Sequence, residues 1–258
     1  FLANRHFFYL TNIEQENSIL LLVKGIGTKK TYLFVDEYNE VYEKWWGKRL
    51  TMQEASSLSN ITSVYPVKDF DSILSLVLSK DNNQYGAIAS LYVDSSIELK
   101  IKKQTSTIEW MKETQEKYPH IQIGNIYEFI SMLRGKKSAY EIDCIKKAID
   151  MTNMGLLDLI SNMKEGMEEH ELSDRFEFFG RSHQRSGLAF STITASGKNA
   201  VVLHYPVAIQ NSHITRNDFV LFDLGFEHHG YSADISRTYP VSGTFSGIGK
   251  IIYQKYLL

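Results

Sequence analysis

Two strand-like runs, FVLFDLGFE (residues 219–227) and YSADISRTY (residues 231–239), stand on either side of a short His-His-Gly segment. Such runs, joined through about two residues with a glycine free to take positive φ, predict a tight β-hairpin. The hairpin carries Asp223 and Asp234, eleven residues apart. Strand side chains alternate faces, so either two-residue loop leaves both aspartates on one side. With His228 and His229 as the loop, the aspartates are directly opposed; with His229 and Gly230 they become diagonal neighbours. Phe222, Leu224, Ala233 and Ile235 around them are apolar, which predicts a substantially buried hairpin. Two buried carboxylates must share a proton or hold a cation, and oxygen ligands suit hard or borderline divalent ions. On spacing alone, a solvated face with two ordinary surface charges is the simpler account, because like-charge repulsion in water is worth only tenths of a kcal/mol.

The hairpin closes a second unit that begins near RGKKSAYEIDCIKKAIDMTNMGLLDLISNM. Ser138 is placed as an N-cap with Glu141 as its capping-box partner. Ile142, Ile145, Ala148, Ile149, Thr152, Leu156 and Leu159 follow as an apolar stripe. EEHELSDRFEFFGRSHQRSG predicts a second helix, and AFSTITAS, NAVVLHY and the two hairpin runs predict strands. Long helices followed by strands imply an α+β domain with a mainly antiparallel sheet. Residues 1 to about 125 instead mix the two: FFYLT, SILLLV, TYLFV and SLYVD as strands, DFDSILSLVLS and TSTIEWMKETQEKY as helices, SSIELKIKK as either. That pattern gives an α/β domain over residues 1–130, ahead of a second domain over residues 131–258.

Composition narrows the function classes. A net charge of −2 offers nothing to a polyanion, so no nucleic-acid or membrane partner is expected. No apolar run is long enough to span a bilayer. The single Cys144 excludes an internal disulfide framework, fits a reducing cytoplasm and reads as a small core residue. The opening Phe1 and the uncapped apolar IIYQKYLL at the close suggest part of a longer protein. SGKNAV lacks the spacing of a phosphate loop. His228 and His229 read as exposed turn residues, Tyr42, Trp45 and Trp46 as packing, and the Lys29-Lys30, Lys102-Lys103 and Lys136-Lys137 pairs as solvated surface.

In order and spacing, NAVVLHY, VLFDLG and GYSADISRTYPVSGTFS resemble the catalytic domain of the pita-bread metallopeptidases, above all the Xaa-Pro aminopeptidases and the related Xaa-Pro dipeptidases. NRHFFYLTNIEQENSILLLV and EKWWGKRLTMQEA are similar to that family's creatinase-like N-terminal domain, and RGKKSAYEIDCIKKA to the first catalytic-domain helix. The resemblance implies a pita-bread second domain, present here as its first half. It implies two divalent metal ions, usually manganese with cobalt or zinc as alternatives, held by two Asp, one His and two Glu. Asp223 and Asp234 match the two aspartates, Asp234 as the bridging one. His204 matches a non-ligand histidine that contacts substrate and stabilises the tetrahedral intermediate. Ser236 stands where relatives usually carry Thr and would support a ligand or a metal water. Tyr205 would wall the cleft, and Arg49 would belong to a segment bounding the cleft or a subunit interface. The implied partners are a proline-containing peptide and, in the complete form, further copies of the chain. After Asp234 there is no Asp, Glu or His, so two of five ligands and no general base are present, and the stretch by itself is expected to be inactive. The residues between His204 and Asp223, with VAIQNSHITRND, also run longer than in relatives. A non-catalytic pita-bread binding protein is the alternative from another class.

Overall fold

The structure, a computed structural model, describes residues 3–37, 39–81, 84–95, 105–183, 187–206 and 213–256. It separates into two units, Phe1–Lys136 and Lys137–Leu258. Most of SSIELKIKK, with Lys102 and Lys103, and the first half of VAIQNSHITRND lie outside the described residues.

The first unit is α/β. It runs α1 (Arg5–Thr11), β1 (Ile19–Lys24), β2 (Lys29–Val35), α2 (Glu40–Trp46), α3 (Met52–Ser59), β3 (Val64–Pro66), α4 (Phe70–Leu78), β4 (Ser90–Val93), α5 (Thr105–Lys117), β5 (Gln122–Asn125) and α6 (Tyr127–Gly135). β1 and β2 are antiparallel, β2 and β3 parallel, and β4 and β5 form a separate parallel pair. TYLFV is a continuous apolar run because β2 is covered on both sides. Tyr32 and Phe34 join Leu74, Val77 and Leu78 of α4, while Leu33 and Val35 join Ile13 and Ala55 of α3. FFYLT is a helix, not the expected strand. Asn4 caps it by accepting from the N–H groups of His6 and Phe7, and Asn12 ends it in the left-handed region, so two caps override the β preference of the aromatics.

One further expectation fails in this unit. Trp45 and Trp46 are 78% and 77% exposed, so they do not pack in a core. Arg49 is buried, paired with Asp36 and stacked 3.9 Å over the Tyr42 ring, so its guanidinium is satisfied inside the unit.

The second unit is α+β: α7 (Ala139–Asn162), α8 (Glu169–His183), β6 (Ile193–Ser196), a 3-10 turn (Gly197–Val201), β7 (Phe219–Leu224), β8 (Glu227–His228), β9 (Tyr231–Ser232), β10 (Ile235–Pro240) and α9 (Gly247–Tyr256). β7 lies between β10 and β6, antiparallel to both. The Ser138–Glu141 capping box opens α7. Cys144 is buried. The buried face of α7 is rotated from the expected stripe: Ala148, Thr152, Leu156 and Leu159 are inside, but Ile142 and Ile149 are exposed, and Glu141, Met151 and Gly155 take the inward places. Aromatic packing explains the rotation. Phe176 and Phe226 stack at 4.1 Å, and a Cβ on Gly155 would meet both rings at about 3 Å, so glycine alone admits them. NAVVLHY is likewise not a strand. Gly197 takes φ +51 and starts the 3-10 turn, with the Val202 N–H bonded to the Asn199 carbonyl.

Candidate metal centre

The hairpin takes the His229-Gly230 loop. Both residues have positive φ, 50° and 80°, the requirement of a type I′ turn. His228 therefore pairs with Tyr231 in the ladder and is half-buried, not a turn residue. Desolvation, with His229 alongside, lowers its pKa below the ordinary histidine value. One register runs through the whole hairpin: Glu227 faces Ser232, Leu224 faces Ile235 and Asp223 faces Ser236. Asp234 is two residues before Ser236, which makes the aspartates diagonal neighbours on one side of the ladder.

Their surroundings differ from the expected burial. Along β7, Val220, Phe222 and Leu224 point into the core while Phe219, Leu221 and Asp223 occupy the opposite, half-buried face. Asp234 is exposed. The Ser236 hydroxyl donates to Asp223 Oδ1 at 2.8 Å, and no other hydrogen bond reaches either aspartate among the described residues. The apolar neighbours that suggested burial belong to the other face of the same strands.

The core face fixes this frame. The Phe226 N–H donates to Thr152 Oγ1 at 2.9 Å, and Thr152 donates back to the Ala148 carbonyl. Phe226 fills a notch in α8, where a Cβ on Gly180 would come within 2.2 Å of its ring. Gly225 stands between the aspartate-bearing segments, and a Cβ there would lie 1.9 Å from the Ala233 carbonyl oxygen. The Tyr231 hydroxyl donates to Glu141, whose pKa is held below the usual carboxylate value first by the Ser138 N–H.

β6 pairs with the same central strand, Ile193 opposite Asp223, and leads into the turn that precedes His204. The turn packs against β7, and His204 follows it, exposed. Tyr205 is buried, and its hydroxyl accepts from the Asn199 side chain at 2.8 Å. Asn199 in turn reaches Glu169, a carboxylate that the sequence reading passed over. A signal for it existed: Glu169, Leu172, Ser173, Phe176 and Gly180 share the buried face of α8 at helical spacing.

Among the described residues, no group of three or more His, Cys, Asp and Glu side chains could hold a metal ion. Asp223 and Asp234 share one open face of the ladder, with the Ser236 hydroxyl as the one side-chain donor to them among the described residues.

Comparison with known proteins places this geometry. Residues 1–85 match the N-terminal domain of aminopeptidase P, and residues 143–257 match metallopeptidase family M24. The chain is 27% identical over its whole length to a Haemophilus influenzae Xaa-Pro aminopeptidase, covering 56% of it. It is 28% identical to intermediate cleaving peptidase 55 of Schizosaccharomyces pombe, with 98% of this chain matched to 50% of that one. A solved Bacillus anthracis structure described as an aminopeptidase P superposes with a TM-score of 0.92 at 38% identity, covering all of this chain and 60% of its own. The chain thus spans about half the length of the curated relatives it matches. Its first unit is an aminopeptidase P N-terminal domain and its second is part of a pita-bread domain, so the chain belongs to the M24 metallopeptidases of the aminopeptidase P type.

Proposed function

We propose that the full-length protein containing this chain hydrolyses Xaa-Pro bonds, releasing the N-terminal residue from peptides with proline in second position. The observation that carries this reading is the placement of Asp223 and Asp234 as diagonal neighbours on one open face of an M24 hairpin. The donor set fits a divalent ion: carboxylate oxygens only, exposed or half-exposed, with a single protein hydrogen bond between them. Divalent ions there, manganese in our reading, would supply Lewis-acid activation of water and of the scissile carbonyl. Asp223 and Asp234 provide the anionic oxygens, and the Ser236 hydroxyl fixes the orientation of Asp223. His204, exposed at its turn, donates to the substrate carbonyl oxygen as negative charge develops, an interaction that strengthens toward the transition state. This chain has no Asp, Glu or His after Asp234 and spans about half the length of its relatives, so the remaining ligands and the general base are assigned to the rest of the full-length protein.

The buried single cysteine supports a cytoplasmic setting, and no helix among the described residues is long and apolar enough to cross a membrane. The exposed Trp45 and Trp46 support self-association through the first unit. The decisive experiment incubates the full-length protein and Mn2+ with an Xaa-Pro-Xaa tripeptide. Release of the N-terminal residue, abolished by Asp234→Ala and by chelation, is the expected result. Cleavage confined to Xaa-Pro dipeptides would make the protein a dipeptidase, and full activity without metal would overturn the reading.

A further inference from the structure

Glu169, the first residue of α8, is 2% exposed and has no cationic partner among the described residues. Its charge is satisfied by donors. The Ser196 N–H reaches Oε1 at 2.5 Å and the Ser196 hydroxyl reaches it at 2.8 Å. The Asn199 amide donates to both carboxylate oxygens, at 3.1 and 3.2 Å. The backbone carbonyl of Glu169 accepts from the buried Thr194 hydroxyl at 2.6 Å. These hydrogen bonds replace the hydration that a carboxylate loses on burial, and its place at a helix N-terminus suits an acidic side chain.

Asn199 passes the connection on. The same amide nitrogen donates to the Tyr205 hydroxyl, so one side chain ties the two ends of the segment Asn199–Tyr205 to Glu169. Between the ties, Val201 and Leu203 are 82% and 88% exposed. Val201 and Leu203 therefore add no packing of their own to the excursion, and the polar staple ties its two ends. His204 sits inside it, next to the buried Tyr205.

The geometry points to Glu169 as the positioning residue for His204, acting through Asn199 and Tyr205 to set where the imidazole meets substrate. This rests on the proposed peptidase reading and adds to it a side chain that touches neither metal nor peptide. Misplacing a transition-state donor by an ångström is worth about 10²-fold in rate.

The test uses the full-length protein with Mn2+ and four variants. Glu169→Gln turns one acceptor into a donor facing the Ser196 or Asn199 donors. Asn199→Asp sets carboxylate against carboxylate. The double variant restores a donor–acceptor pair of reversed polarity, with the Tyr205 hydroxyl turning to donate. Tyr205→Phe deletes only the hydroxyl that receives the Asn199 bond, and it carries the test if Glu169→Gln does not fold. Each single change is expected to lower kcat toward Xaa-Pro-Xaa by about 10²-fold while KM and metal content stay near wild type. The double variant should regain about tenfold over the worse single. Independently of activity, the His204 imidazole NMR signal of the metal-free protein at fixed pH should shift or broaden in the single variants and recover in the double. Wild-type kcat together with an unmoved His204 signal in the single variants would overturn the proposal. A wild-type protein that cleaves no Xaa-Pro peptide would instead sink the peptidase reading, and the NMR comparison would still decide the role of Glu169.

Discussion

Glu169 and the aspartate pair occupy the same small α+β unit, yet the structure treats their charges in opposite ways. Glu169 is buried at the head of α8, with its oxygens occupied by the donors of Ser196 and Asn199. Asp223 and Asp234 lie on the open side of the hairpin with one hydroxyl donor between them. A carboxylate saturated by donors has no capacity left for a cation, so it holds the fold. A carboxylate left short of donors is available to a ligand and does little for stability. The contrast separates scaffold from site without reference to what either residue type usually does.

Removing each charge should expose that difference most plainly. Glu169→Ala strands two buried Ser196 donors, each worth about 1–3 kcal/mol, and takes a partner from half-buried Asn199, so it should destabilise the full-length metal-free protein by about 3 kcal/mol in urea unfolding. Asp223→Ala and Asp234→Ala should change the same transition by no more than about 0.5 kcal/mol while abolishing hydrolysis. Equal destabilisation by all three would break the comparison. The frame beneath the aspartates allows a sharper test. Gly180→Ala drives a methyl into the Phe226 ring and should cost about 2 kcal/mol, and Phe226→Leu in the same chain should relieve part of it. If Gly180→Ala melts like wild type, the notch does not hold the hairpin.

Glu141 lies between the two extremes, buried but supplied by a cap and a tyrosine. Its pKa is lowered, so it binds its proton less readily when folded than when unfolded. The stability it contributes is therefore present above the unfolded carboxylate value near 4.5 and is lost as pH falls through the lower folded value. Glu141→Gln should remove that part of the acid sensitivity, with an effect of about 1 kcal/mol at neutral pH, seen by comparing melts at pH 7 and pH 4.

The sequence made some of this readable and concealed the rest for physical reasons. The Ser138–Glu141 box and the hairpin were legible because capping and tight turns are decided by residues three or four positions apart. Both turn options put the aspartates on one face, and the positive φ at His229 and Gly230 selects the diagonal one. Glu169 was hidden among Glu168, His170 and Glu171, because its partners lie 25 to 30 residues away. NAVVLHY alternates like a strand, but Gly197 and the tether on Asn199 bend it into a turn. The rotation of α7 depends on ring packing against Phe226, which no pattern within the helix reveals.

The uninterrupted register from Asp223 to Ser236 makes the hairpin a ruler that counts in twos. Lengthening one arm by one residue between the aspartates would put the two carboxylates on opposite faces, whereas a paired insertion, one residue in each arm, would keep them on the same face. The hairpin therefore keeps its two carboxylates together only through length changes in even steps, so the pairing of Asp223 with Asp234 is a matter of parity as much as of residue identity.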